Sequence, residues 1–126
     1  MLRFDIGMPA GSGLPREKAA GTVADIEEFA KTLLRFEADE KQAAVLRGGH
    51  RGIVNCTRQW GKSTVGALKA VHRAYTVAGS LTLVLSPSGR QSGELLRKAE
   101  EFVQQLGIPV RGDGVNELSI AFPNGS

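Results

Sequence analysis

A short β-branched run passes directly into a glycine-lysine-serine turn, and the turn directly into an amphipathic helix. The run is Gly52-Ile53-Val54-Asn55-Cys56, the turn is Thr57-Arg58-Gln59-Trp60-Gly61-Lys62-Ser63-Thr64, and Val65, Leu68, Val71 and Tyr75 mark the helix. Spacings of three and four put those four side chains on one helical face, whereas β-branched residues favour extended backbone. A strand with so little chain before the next helix cannot pair with a hairpin neighbour through that connection. It implies a helix packed back across a sheet.

The rest of the chain reads in the same terms. Residues 1–15 form an arm, flexible where Gly7-Met8-Pro9-Ala10-Gly11-Ser12-Gly13-Leu14-Pro15 concentrates glycine and proline, and residues 16–126 form the folded part. A helix is expected from about Arg16 to Phe36, with Val23, Ile26, Phe29, Ala30, Leu33 and Leu34 on one face. A shorter one spans about Asp39 to Arg47 and stops at Gly48-Gly49. Leu81-Thr82-Leu83-Val84-Leu85 is a nearly unbroken apolar run, as in a parallel strand covered on both faces. A turn at Ser86-Pro87-Ser88-Gly89 leads into a helix with Leu95, Ala99, Phe102 and Leu106 on one side, ended by Gly107 and Pro109. Glu117 to Phe122 alternates polar and apolar residues like a half-exposed strand, and Pro123-Asn124-Gly125-Ser126 begins a turn. The succession of helices and strands predicts an α/β fold with crossover helices and a mainly parallel sheet.

Composition narrows the class. Apolar residues make up 41% and charged residues 23% of the 126, as in ordinary globular proteins. The net charge of +3 suits a polyanionic partner and equally suits a plain solvated surface. Cys56 is the single cysteine, so no internal disulfide forms, and with it and the scattered His50 and His72 no zinc ligand set can be assembled. No apolar run reaches membrane-spanning length, and the first fifteen residues lack the basic start and apolar centre of a secretory leader. These features point to a soluble cytoplasmic protein without a membrane role.

The turn carries the chemistry. A phosphate-binding loop has the pattern G-x-x-x-x-G-K-[ST] between a strand and a helix. Gly61, Lys62 and Ser63 supply its second half, while Cys56 occupies the first glycine position. Gly61 lets backbone approach a phosphate without a Cβ in the way. Successive N–H groups and the positive end of the following helix favour an anion. Lys62 adds a point charge against the β- and γ-phosphates, and the Ser63 hydroxyl is the expected ligand of Mg²⁺. ATP with Mg²⁺ is thus the expected ligand. The plainer alternative is a strand–turn–helix whose Lys62 is a solvated charge.

The eight residues from Thr57 to Thr64 resemble the deviant phosphate loop of phage large terminase subunits, in which an Arg-Gln pair precedes x-G-K-[ST]. Leu81 to Ser88 with Arg90-Gln91-Ser92 resembles that family's next strand and helix start, and Glu117 to Ser126 the segment before its acidic strand. The resemblance covers about residues 36 to 126. It implies a P-loop NTPase domain of the RecA/ASCE-like three-layer type, incomplete at its C-terminal side. It implies nucleotide contacts from Thr57, Arg58, Gln59, Trp60, Gly61, Lys62, Ser63 and Thr64, with Gln42 where the family has an adenine-contacting glutamine. Lys62 and Arg58 would take the catalytic roles, Arg58 at the γ-phosphate. Gln59 would hold the loop shape or face the phosphates, and Trp60 would cover the loop or plug it. A full-length relative would couple ATP hydrolysis to moving double-stranded DNA into a procapsid, as a self-associated ring with a portal protein and a small terminase subunit, and would cut the DNA.

Phosphoryl transfer also needs an apolar strand ending in Asp, usually followed by Glu. No such run occurs: Asp113 lies in a glycine turn and Glu117 starts its segment. The expectation is the front portion of a longer protein, able to bind ATP and without turnover on its own. Two rivals remain open, a helicase-like DNA-dependent ATPase and a non-catalytic nucleotide-binding piece. Arg90 is the foremost candidate for DNA contact among the scattered basic residues.

Overall fold

Four helices carry the fold in the computed structural model, which describes residues 2–5, 25–49, 51–55, 61–112 and 118–126. Helix α1 spans Ile26–Leu33. Its start is set by Asp25, whose carboxylate accepts from the N–H groups of Glu27 at 2.8 Å and Glu28 at 3.2 Å. It ends where Arg35 adopts a left-handed φ of 52°, which lets Phe36 N donate back to Ala30 O at 2.9 Å. Helix α2, Glu40–Arg47, begins with a reciprocal cap: Gln42 N donates to Asp39 Oδ1 and Asp39 N donates to Gln42 Oε1. Helix α3 spans Lys62–Thr76 and α4 spans Gly89–Gln105.

The core lies where these helices meet. Phe29, Val65, Ala67, Leu68 and Val103 are fully buried, with Leu46, Val71, Ala99 and Phe102 around them. The stripe read from the sequence for α3 is the buried one, and Leu95, Ala99 and Phe102 of α4 face it as their spacing requires. Edge-on aromatic contacts tie the layers together: Phe29 to His72 at 5.0 Å between ring centroids, and Phe36 to Phe102 at 6.4 Å.

The sheet departs from expectation. The sole ladder among the described residues joins β1, Leu2–Asp5, to β2, Arg51–Val54, and it is antiparallel, with Leu2 opposite Val54 and Asp5 opposite Arg51. The α/β three-layer P-loop NTPase fold with a mainly parallel sheet is therefore corrected to a helix-dominated architecture with one two-stranded antiparallel ribbon. Two expected strands fail to form. Residues 81–85 enter no ladder, and Leu81, Leu83 and Leu85 are 81%, 73% and 91% exposed. The described part of the 117–122 segment is irregular, although Phe122 is buried and Ile120 packs against the core. The physical reason is common to both. A helix satisfies its backbone internally, whereas a strand needs a neighbour at hydrogen-bonding distance, and β2 has given its described pairing to β1. The arm expected over residues 1–15 contains a strand at Leu2–Asp5, where Leu2 and Phe4 alternate with Arg3 and Asp5 in the period of a strand.

The last turn serves the helices instead of a sheet. Asn124 Nδ2 donates to Ala74 O at 2.8 Å, and Ser126 Oγ donates to Val77 O at 2.8 Å. Both bonds reach carbonyls at the C-terminal end of α3 that have no partner within the helix.

Candidate functional site

Gly61 stands immediately before α3 with φ +86° and ψ 25°, a left-handed conformation that strains any residue with a side chain. Its carbonyl accepts the first helical bond, from Val65 N at 3.0 Å. Helix geometry leaves the N–H groups of the first turn without intrahelical acceptors, and glycine has no side chain to cap them. Lys62, Ser63 and Thr64 make up that first turn and are half-buried. The first turn of a helix carries positive potential, and here its residues include a lysine and two hydroxyl side chains.

Gln42 is brought to this turn from α2. A Cβ placed on Gly61 would lie 3.2 Å from Gln42 Nε2, so the amide closes directly over the glycine. The oxygen of the same amide is held by Asp39 N at 3.0 Å. Gln42 thus completes the cap of α2 with one end and faces the turn with the other. Of the residues expected to contact nucleotide, the structure brings together Gln42, Gly61, Lys62, Ser63 and Thr64. Thr57, Arg58, Gln59 and Trp60, and Cys56 before them, lie outside the described residues.

One charged residue near the site was not singled out by sequence reasoning. Lys69, two turns along α3, is buried, and its ammonium donates to Val45 O at 3.0 Å, Leu46 O at 3.3 Å and Gly48 O at 2.8 Å. Burial pushes its pKa below the ordinary lysine value. The available signal was weak: a lysine next to Leu68 on an otherwise apolar stripe, after a helix that ends in Gly48-Gly49.

The Ser-Pro-Ser block has a local role here. Ser88 is the N-cap of α4 and accepts from Gln91 N at 3.4 Å, while Ser86 Oγ bonds to the Ser88 carbonyl and to Ser92 Oγ. Arg90 is highly exposed and pairs with Glu94 one turn later at 3.5 Å, and Arg47 pairs with Glu27 at 2.8 Å. Such exposed pairs contribute little to stability and leave the arginines accessible. Among the described residues no cluster of three or more His, Cys, Asp or Glu could hold a metal ion, and no helix is long and apolar enough to cross a membrane.

With this geometry in hand, comparison with protein-family models, with curated proteins and with solved structures yields no match.

Proposed function

We propose that the Gly61 turn and the first turn of α3 bind the polyphosphate of a nucleoside triphosphate, ATP with Mg²⁺. The observation that carries this reading is the left-handed Gly61, which has no side chain to cap with, at the start of a fifteen-residue helix whose first residues are Lys62 and Ser63. Lys62 is the charge against the terminal phosphates, Ser63 the ligand of Mg²⁺, and Gln42 the group that reads the remainder of the nucleotide. The proposal rests on the turn and its helix, not on the sheet expected around them. The terminase-like sequence from Thr57 to Thr64 supports a wider reading, in which the nucleotide drives a protein that moves double-stranded DNA. Contact with DNA would then run through phosphate charge alone, from residues such as the exposed Arg90.

Titration with ATP and Mg²⁺ tests the central claim. Lys62→Ala should weaken binding by about 10- to 100-fold, the worth of a charged hydrogen bond. Equal affinities for the two proteins would show that the Gly61 turn does not hold the phosphates. Ser63→Ala should lower the gain in affinity that Mg²⁺ confers more than it lowers binding of the metal-free nucleotide. DNA binding, measured in rising salt, should fall steeply and show no sequence preference.

A further inference from the structure

Helix α2 has eight residues, too few to stand as a helix in water without tertiary support. Its place against α3 must come from contacts, and those contacts decide where Gln42 sits. Ala43 and Leu46 bury its apolar side. A different kind of contact fixes its far end. The carbonyls of Val45, Leu46 and Gly48 converge on Lys69 Nζ, at 3.0, 3.3 and 2.8 Å. An ammonium has three donors and no acceptor, which suits it to a cluster of carbonyls. They also set a positive charge at the C-terminal end of α2, where the helix dipole favours it.

Burying a lysine is costly, and a methionine of similar volume would fill the same space at lower cost. What a methionine lacks is a donor for the last carbonyls of α2, which packing on α3 removes from water. Three links therefore run in series. The reciprocal cap with Asp39 holds the Gln42 amide to the frame of α2. Lys69 holds the frame of α2 to α3. Helix α3 carries the Gly61 turn at its start, and the Gln42 amide closes on that turn.

We infer that Lys69 is a positioning residue of the nucleotide site: by clamping the terminal carbonyls of α2 onto α3, it holds Gln42 against the Gly61 turn. The inference rests on the nucleotide reading given above. It makes a demand that core packing alone does not. Losing the clamp should damage recognition of whatever Gln42 touches and spare recognition of phosphate, which belongs to α3 itself.

The test compares two ligands, ATP and inorganic tripolyphosphate, each with Mg²⁺, by titration calorimetry on the wild-type chain, Lys69→Met, Gln42→Ala and the double variant. The wild type should prefer ATP. Lys69→Met should lose about tenfold of that preference, the scale of one hydrogen bond, with tripolyphosphate affinity kept. Gln42→Ala should lose a similar factor, and the double variant no more than either single one. If Lys69→Met fails to fold, the wild type decides by NMR: the Lys69 side-chain nitrogen resonance should move with ATP and stay with tripolyphosphate. A folded Lys69→Met that keeps the full ATP preference, or a Lys69 resonance indifferent to ATP, overturns the positioning role and leaves the nucleotide reading standing. A wild-type chain that binds neither ligand overturns both.

Discussion

The α3 stripe and the 81–85 segment are equally apolar, yet one is the centre of the molecule and the other lies open to solvent. Val65, Leu68 and Val71 are at most 2% exposed, while Leu81, Leu83 and Leu85 are at least 73% exposed. Hydrophobicity does not separate them. Backbone economy does. Helix α3 closes its own hydrogen bonds and has only to offer its stripe to α1, α2 and α4. The 81–85 run offers apolar side chains on both faces and also needs partners for its backbone, and no described strand lies beside it. An apolar strand is buried by its neighbours, whereas a helix is buried by its own pattern meeting another.

The comparison can be broken at the helix. Leu68→Ala removes three carbons from a fully buried site and should cost about 3–5 kcal/mol in denaturant unfolding. A loss under about 1 kcal/mol would mean that α3 is not the centre of the core. A second, smaller effect sharpens the account of the turn. Gly61→Ala meets a left-handed backbone and the Gln42 amide together, whereas Gly79→Ala, at φ +69°, meets the backbone penalty with open space around it. The Gly79 change should cost about 1–2 kcal/mol, and the Gly61 change more, by chemical denaturation. Equal costs would show that Gln42 yields without resistance.

Lys69 adds a pH dependence to the packed side. Its folded-state pKa lies below the ordinary value of 10.5, the desolvation of burial being the cause. Below the depressed pKa the lysine is charged in both states. Between that pKa and the ordinary value, the unfolded chain binds a proton that the folded chain does not. Stability attributable to Lys69 therefore rises with pH across that window and levels off above it. The measurement is the difference in unfolding free energy between wild type and Lys69→Met from neutral to alkaline pH. A difference that falls over this range would contradict the burial. The least effect belongs to the open segment: Leu83→Ser should change unfolding free energy by no more than about 0.5 kcal/mol. A core-sized loss there would show that residues 81–85 are covered in solution.

Much of the helical structure was legible from periodicity and caps. The stripes of α3 and α4 and the short helix ending at Gly48 lie where spacing and glycine put them. Part of the site was legible too. Gly61 and Gln42, both named from the sequence, lie together across nineteen positions of it, Gly61 in a left-handed backbone that the sequence reading did not specify. Illegible were the parts that depend on a distant partner. Lys69 is set apart from the scattered basic residues only by carbonyls of α2 and its cap, more than twenty positions away in sequence. Asn124 and Ser126 belong to the expected turn, but nothing local shows that they reach the end of α3.

By itself, the sequence determined the local conformations: helix stripes with periods near 3.6, an aspartate or serine at helix starts, and a glycine where the chain turns left-handed before Lys62. Each of these is decided within a few residues, because capping bonds, backbone sterics and side-chain spacing act over one or two turns. Tertiary structure alone decided strand pairing, the burial of Lys69 and the exposure of Leu81, Leu83 and Leu85. A ladder, a desolvated charge and a covered apolar face all require groups remote in the chain to arrive at one place. Whether they arrive depends on the packing of the whole molecule.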